Sequence, residues 1–415
     1  MANLAHVEVA AERTIGPMGL TDEETRVLDT IDRDGLTELA AALVRCPSPN
    51  PPGREQEAAV CLARWCEAAG LEVELDAVAP GRPNLYATLG PAGAEGLLVL
   101  GHTDTVPAGD GWTHEPLGAT VEAGRLIGRG SADMKGGLAA AAAAMAALAR
   151  TGAAHRGPVT LAAVVDEEEH GLGVRRFLER RPSARLALVP EPTELQPIVA
   201  CRGNCYVEIE VRGRAAHAGS PDQGRNAIHG AVCVVEAVRR LDGALAAHEH
   251  PLLGRGTWSV GMIRGGTSTA MVPAECSVSL DRRLLPGETG EQALADVREA
   301  LAGLALGDDE LHAKADLLME IPSFEVGAQD PLVELVRRAA ADAGGADLPA
   351  AGWTAACDGG YVMRDAGIPA VVLGPGSVAE QAHKPDESIE LAEVVLAARI
   401  YALAILRILG VPLSA

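Results

Sequence analysis

The sequence predicts an α/β chain in which a smaller α+β unit interrupts a larger one. Three observations carry this. Short, fully apolar segments in the first half each run into a polar loop and then a helical pattern, as do strands of a sheet covered on both faces. YVEIEV (206–211) and CSVSLDRR (276–283) instead alternate with a period of two, which marks strands with one wet face. The buried α/β texture returns after about residue 318, with IPAVVLGPG (368–376). Residues 1–197 and 319–415 therefore read as one mixed-sheet domain with helices on both faces. Residues 198–318 read as an inserted α+β domain. A typical domain of about 150 residues gives the same order of division for 415 residues.

The elements follow in order. Residues 1–20 carry little periodic signal and read as a loosely held arm. Asp22 to Val44 predicts a helix with Leu28, Ile31, Leu36, Leu39 and Leu43 on one face. CPSPNPPG (46–53) holds four prolines in eight residues and reads as a loop. Glu55 to Ala69 predicts a helix ended by Gly70, and strands are expected at Leu71–Leu75 and Asn84–Leu89. Leu97–Gly101 is a short buried strand that runs into HTDTVP. Arg125–Gly130 approaches ADMKGG, and an Ala-rich helix follows. Val159–Val165 runs into DEEE, and Leu186–Val189 into PEPT. Within the inserted unit, Asn226–Leu241 predicts a helix. Leu391–Leu413, interrupted by Glu393, Arg399 and Arg407, predicts an amphipathic closing helix.

Composition excludes several classes. Lys+Arg number 35 against 57 Asp+Glu, a formal charge of -22, which argues against binding nucleic acid or an anionic membrane. Aromatics at 2% leave an aliphatic core and little means of stacking on bases. The eight cysteines form no CxxC pair and read as reduced core residues. With no signal-peptide pattern and no spanning run, the expected location is the cytoplasm.

Acids and histidines sit where the buried strands end. His102 and Asp104 are two apart, so in extended backbone they face one way, and the carboxylate could orient the imidazole. Alone, such a pair is more often a turn. Asp133 before an Ala-rich helix reads alone as an N-cap. Asp166, Glu167, Glu168 and Glu169 would repel one another without a cation. Glu191 is held between prolines, and His383 follows a Gly-Pro-Gly turn. Five or six such groups at one sheet edge, with no thiolate, suit zinc, cobalt or manganese, and the acidity suits two divalent ions.

LVLGHTDTVP, GRGSADMKGG, VVDEEEHGLG, PEPT, AAHAGSPDQGRNAI and GPGSVAEQAHKPDE, in this order, resemble the two-metal aminoacylase/carboxypeptidase family. That family includes acetylornithine deacetylase, succinyl-diaminopimelate desuccinylase and glutamate-releasing carboxypeptidases. The resemblance runs from about Leu36 to the C-terminus. It implies that His102 binds one metal and His383 the other, with Asp133 bridging and Glu168 and Glu191 completing the pair. Asp104 would orient His102, and Glu167 would be the general base acting on a water held between the two ions. The closing glycine of the acidic motif falls on Gly173, so Asp166 is its first letter and Glu169 a spare acid. The resemblance also implies a ferredoxin-like lid and dimerisation domain. His217 would stabilise the oxyanion in a partner subunit's site, and Arg283 would bind a substrate carboxylate. One departure stands out: Ala270 occupies the position of the family's usual Asn. The implied enzyme is a homodimeric two-zinc hydrolase of N-acyl amino acids. A carboxypeptidase or dipeptidase with the same site is the near alternative, and a catalytically inactive binding protein the remote one.

Overall fold

The computed structural model describes residues 19–410, apart from 92–94, 154–156, 305 and 307–309. The arm expected at 1–20 lies almost wholly outside the described residues. A nine-stranded mixed sheet organises the larger part of the chain. Its middle is parallel, with Gly96–His102 between Val159–Val164 and Ala184–Val189, and Ala370–Val372 beyond the latter. Glu72–Ala79 and Arg82–Leu89 add an antiparallel margin on one side, and Ile198–Cys201 and its neighbours extend the other.

These strands are buried on both faces because alternate residues feed different cores. Leu97 and Val99 pack with the helices Arg33–Arg45, Gly136–Thr151 and Leu391–Gly410, while Leu98 and Leu100 pack with Leu172–Leu178 and Gly359–Ala366. The Ala-rich helix Gly136–Thr151 is buried from Gly136 to Leu148. A Cβ on Gly137 would lie 2.1 Å from the Pro190 carbonyl oxygen. Only glycine lets the helix start come this close to the PEPT loop.

The helix expected over Asp22 to Val44 is two helices, Asp22–Asp29 and Arg33–Arg45. Asp32 takes an extended conformation and accepts the Gly35 N–H at 3.0 Å, so it starts a new helix instead of continuing the old one. The closing helix carries Arg407, whose Nε and Nη1 each donate at 2.6 Å, to Glu24 and Asp342. Burial pushes the Glu24 carboxyl up, but Arg407 and the Thr21 N–H hold it below its usual value. Arg407→Leu should cost about 3–5 kcal/mol, because it strands two carboxylates in a part-buried setting. The urea unfolding midpoint checks this, and an unchanged midpoint would refute it.

The second sheet is antiparallel and four-stranded: Thr257–Gly265, Glu275–Leu284, Gly203–Arg212, His312–Ile321. With helices Ala227–Ala244 and Gly290–Ala302 on its buried face, the chain order is β-α-β-β-α-β, the ferredoxin-like arrangement. The expected period-two alternation is present along Glu275–Leu284, which buries every second residue. The boundary expected at 198 falls on Ile198–Cys201, a strand of the large sheet. The chain crosses at Arg202 and returns at Pro322–Ser323, and the two crossings touch: a Cβ on Gly203 would lie 2.4 Å from the Ser323 nitrogen. Among the described residues, no helix is long and apolar enough to cross a membrane.

Candidate metal centre

Three parallel strands end side by side and deliver the polar cluster. His102 closes Gly96–His102, opposite Val164. Its Nδ1 lies 3.0 Å from the Asp104 backbone carbonyl and 3.6 Å from the Asp104 carboxylate. A carbonyl only accepts, so the proton sits on Nδ1 and the Nε2 lone pair faces the cluster. The Asp104 carboxylate has a wider task than the orienting role expected of it. It accepts from Asn50 Nδ2 at 3.0 Å and from the N–H groups of Glu167 and Glu168 at 3.2 and 3.1 Å. Burial opposes its ionisation, but His102, Asn50 and the Glu168 N–H hold the carboxyl below its ordinary value.

Asp133 stands between two imidazoles. Its Oδ1 is 3.3 Å from His102 Nε2 and its Oδ2 is 3.3 Å from His383 Nε2. It is not the helix cap, because the following helix starts at Gly136 with Lys135 at the cap position. Glu191 Oε1 lies 3.5 Å from His102 Nε2, and Glu168 Oε2 lies 3.2 Å from His383 Nε2. Two donor groups result, His102–Asp133–Glu191 and Asp133–Glu168–His383, sharing Asp133. Bonds of about 2.1 Å place the ligand atoms of a tetrahedral zinc ion about 3.4 Å apart, which these separations match. Glu167 belongs to neither group, yet its Oε2 is 3.9 Å from His102 Nε2. The His383 side chain is 52% exposed while the other donors are nearly covered, so the centre opens to solvent on that side.

The charges of the cluster call for cations. Burial, then Asp133 and Glu168, push the Glu191 carboxyl up to about 7. Burial and the neighbouring acids push Glu167 well above the carboxylate range. His383 is raised to about 10 by Asp133 and Glu168. His102 is raised despite its burial, chiefly by Glu191. Acids crowded this closely call for positive charge, and the donor set fits two divalent ions.

Some contributors had no visible signal in the sequence. Asn50, in the proline loop, also donates to Asp166 at 2.9 Å, and Arg82 joins the same carboxylate at 2.7 Å. Asp166 is therefore a buried brace. Glu387 carries the Asp133 turn. Its carboxylate accepts the N–H groups of Gly130, Ala132 and Asp133 at 2.9–3.0 Å and pairs with Arg129 at 2.6 Å. A Cβ on Gly173 would sit 2.3 Å from the Val165 carbonyl oxygen, so a glycine there lets the acidic turn close.

Of the nine site residues expected from the sequence, the structure gathers seven at this sheet edge: His102, Asp104, Asp133, Glu167, Glu168, Glu191 and His383. The other two lie on the second sheet unit. His217 is exposed in Ala216–His217 and accepts the Gly219 N–H at 3.0 Å. Ala270 sits next to it, its carbonyl accepting the Ala218 N–H at 2.9 Å. Arg283 donates to Asp281 at 2.9 Å within its own strand.

Comparison with known proteins bears on the same centre. The chain is 34% identical to the acetylornithine deacetylase of Proteus mirabilis (strain HI4320) over 343 residues, 80% of this chain and 84% of that one. It is also 34% identical to the acetylornithine deacetylase of Aliivibrio fischeri (strain ATCC 700601 / ES114), over 79% of this chain and 84% of that one. Among solved structures, aminopeptidase PepT from Bacillus cereus ATCC 10987 superimposes with a TM-score of 0.72 at 25% identity, covering 91% of this chain and 99% of its own. The dipeptidase Dug1p from Saccharomyces cerevisiae superimposes at 0.76 with 14% identity, over 94% and 99%, a likeness of fold alone. The model of peptidase family M20/M25/M40 matches residues 98–407, from the strand that ends in His102 to Arg407 of the closing helix. Family, fold and paired donor groups agree: the chain belongs to peptidase family M20/M25/M40 and is a metal-dependent hydrolase of amide bonds.

Proposed function

We propose that this enzyme cleaves N-acyl amino acids, releasing a carboxylate and the free amine, with His102, Asp133, Glu168, Glu191 and His383 as ligands. Asp133 shared between two imidazole-bearing groups, with Glu167 beside them and outside both, carries the hydrolase reading, and the 34% identity to acetylornithine deacetylases is what favours N-acyl amino acids. Zinc suits the nitrogen and oxygen donors first, with cobalt or manganese as substitutes. Divalent ions bound there supply Lewis acidity and make water more acidic. Glu167 takes the proton of the attacking water on a carboxylate oxygen and returns it to the leaving nitrogen. Its burial strengthens it as a base. Asp104 holds the Glu167–Glu168 backbone and the His102 ring in place for this transfer.

The inserted unit, between the crossings at Arg202 and Pro322–Ser323, acts as a lid and as the dimer contact. Its outer strand Thr257–Gly265 has one neighbour in the sheet and exposes Met262 and Ile263, which suits a second copy of the chain. His217 then serves the other copy's site as an oxyanion donor. Arg283 trades Asp281 for the substrate carboxylate when the lid closes. The complete ligand set disfavours an inactive binding protein. The enzyme works in the cytoplasm on a small molecule.

A dipeptidase or carboxypeptidase reading competes, supported by the peptidases that share the fold. The test is a turnover panel on zinc- or cobalt-loaded enzyme. Acetyl- and succinyl-amino acids should turn over faster than dipeptides. Turnover of dipeptides alone would overturn the deacylase reading.

A further inference from the structure

Two thiols meet next to the loop that braces the metal centre. Cys46 ends the helix Arg33–Arg45, and Cys61 lies in Gln56–Ala68. Both thiols line one open cavity of about 790 Å³, walled by Leu39, Val60 and Trp65 with Arg64 at its side. Both are half-buried, which corrects the expectation that every cysteine is a core residue. Each thiol is the other's largest influence: Cys46 draws the Cys61 thiol down to about 7, and Cys46 itself is pushed far up. Cys201 and Cys357 form a second such pair, but both are buried and out of a reagent's reach.

Cys46 opens the loop 46–53, which is tied to the centre at several points. Ser48 O accepts the Thr105 N–H at 3.0 Å, and Asn50 N–H donates to Thr105 O at 2.8 Å, directly after the His102–Asp104 segment. The Asn50 side chain holds Asp104 and Asp166. Lys135, two residues past Asp133, donates from Nζ to the Cys46 carbonyl at 2.8 Å.

We propose that Cys46 and Cys61 form a reversible disulfide site, closed by low-molecular-weight disulfides, that acts on the metal centre through the Asn50 loop. The Cys61 thiolate attacks one sulfur of the external disulfide and expels a thiolate. Cys46, no longer facing a Cys61 thiol, gives its proton to solvent, and its thiolate attacks the Cys61 sulfur and expels the second half of the reagent as a thiolate that takes up a proton. Two protein thiols lose two electrons, and one external disulfide becomes two thiols. The new bond, about 2.0 Å long, ties the loop start at Cys46 to the helix Gln56–Ala68, and this tie is the proposed route to the Asn50 loop.

The effect on turnover rests on the deacylase reading, but formation of the bond does not. The test uses metal-loaded, reduced Cys233→Ser enzyme, which removes the exposed thiol, treated with oxidised glutathione. Peptide mapping without reductant should show the Cys46 and Cys61 peptides joined, with N-acyl amino acid turnover down several-fold. Dithiothreitol should reverse both changes, and Cys61→Ser should show neither. Absence of the joined peptide, or a glutathione adduct left standing on Cys61, overturns the site. A joined peptide with unchanged turnover overturns the coupling. An enzyme that turns over no N-acyl amino acid sinks the deacylase reading instead, and the mapping result stands.

Discussion

Glu167→Gln should lower kcat by about 10²–10⁴-fold, the usual range for one proton-transferring side chain. Metal content should stay unchanged, because Glu167 lies outside both donor groups. Gln keeps the shape and the backbone contacts of Glu167 with Asp104 but cannot hold the proton. KM should move little, since the substitution removes proton transfer and leaves the surfaces that meet the substrate in place. Steady-state kinetics beside elemental analysis would check this. Full turnover with both metals bound would remove Glu167 from the chemistry. Loss of a metal would make it a ligand.

The second large effect belongs to a residue that contacts no candidate ion. Glu387→Ala removes the acceptor of three backbone N–H groups in the turn that aims Asp133, and it strands Arg129, which is 4% exposed. Because Asp133 is common to both donor groups, both metals should be held more weakly, by about 10–100-fold each. Competition with a chromophoric chelator measures this. Where Glu387→Ala fails to fold, Glu387→Gln keeps the acceptor oxygen and loses the charge opposite Arg129. It should weaken metal binding less than Ala and preserve the circular dichroism spectrum. Wild-type metal affinity in Glu387→Gln together with Glu387→Ala would show that the brace is irrelevant to the centre.

The sequence made the donors legible for a physical reason. Each acid or imidazole read singly as a turn, a cap or surface charge, but His102, the Asp166–Glu168 run and Glu191 all follow apolar strands, and that convergence together with the family resemblance marked the set. The braces were not legible, because their partners are far away along the chain. Asn50 meets Asp166 across 116 residues and Glu387 meets Ala132 across 255, and no local pattern encodes such pairs. The split of the first helix did leave a trace. The apolar spacing runs 28, 31, 36, 39, 43, and the five-residue step from Ile31 to Leu36 falls where Asp32 breaks the helix. His217 and Arg283 were visible only through resemblance. In a single chain one is solvated and the other satisfied by a neighbouring acid.

The touching crossings at Gly203 and Ser323 bear on how this protein was assembled and how it folds. An insertion whose entry and exit are adjacent closes the host chain as a short turn would, so its length adds little closure entropy. The same junction suits exchange: a different cap with neighbouring ends, remaking contacts such as Leu253 on Ala200, could replace residues 203–321 while the donor groups around Asp133 stay on the large sheet. New specificity could then be acquired by swapping a cassette, with the hydrolytic centre left as it stands.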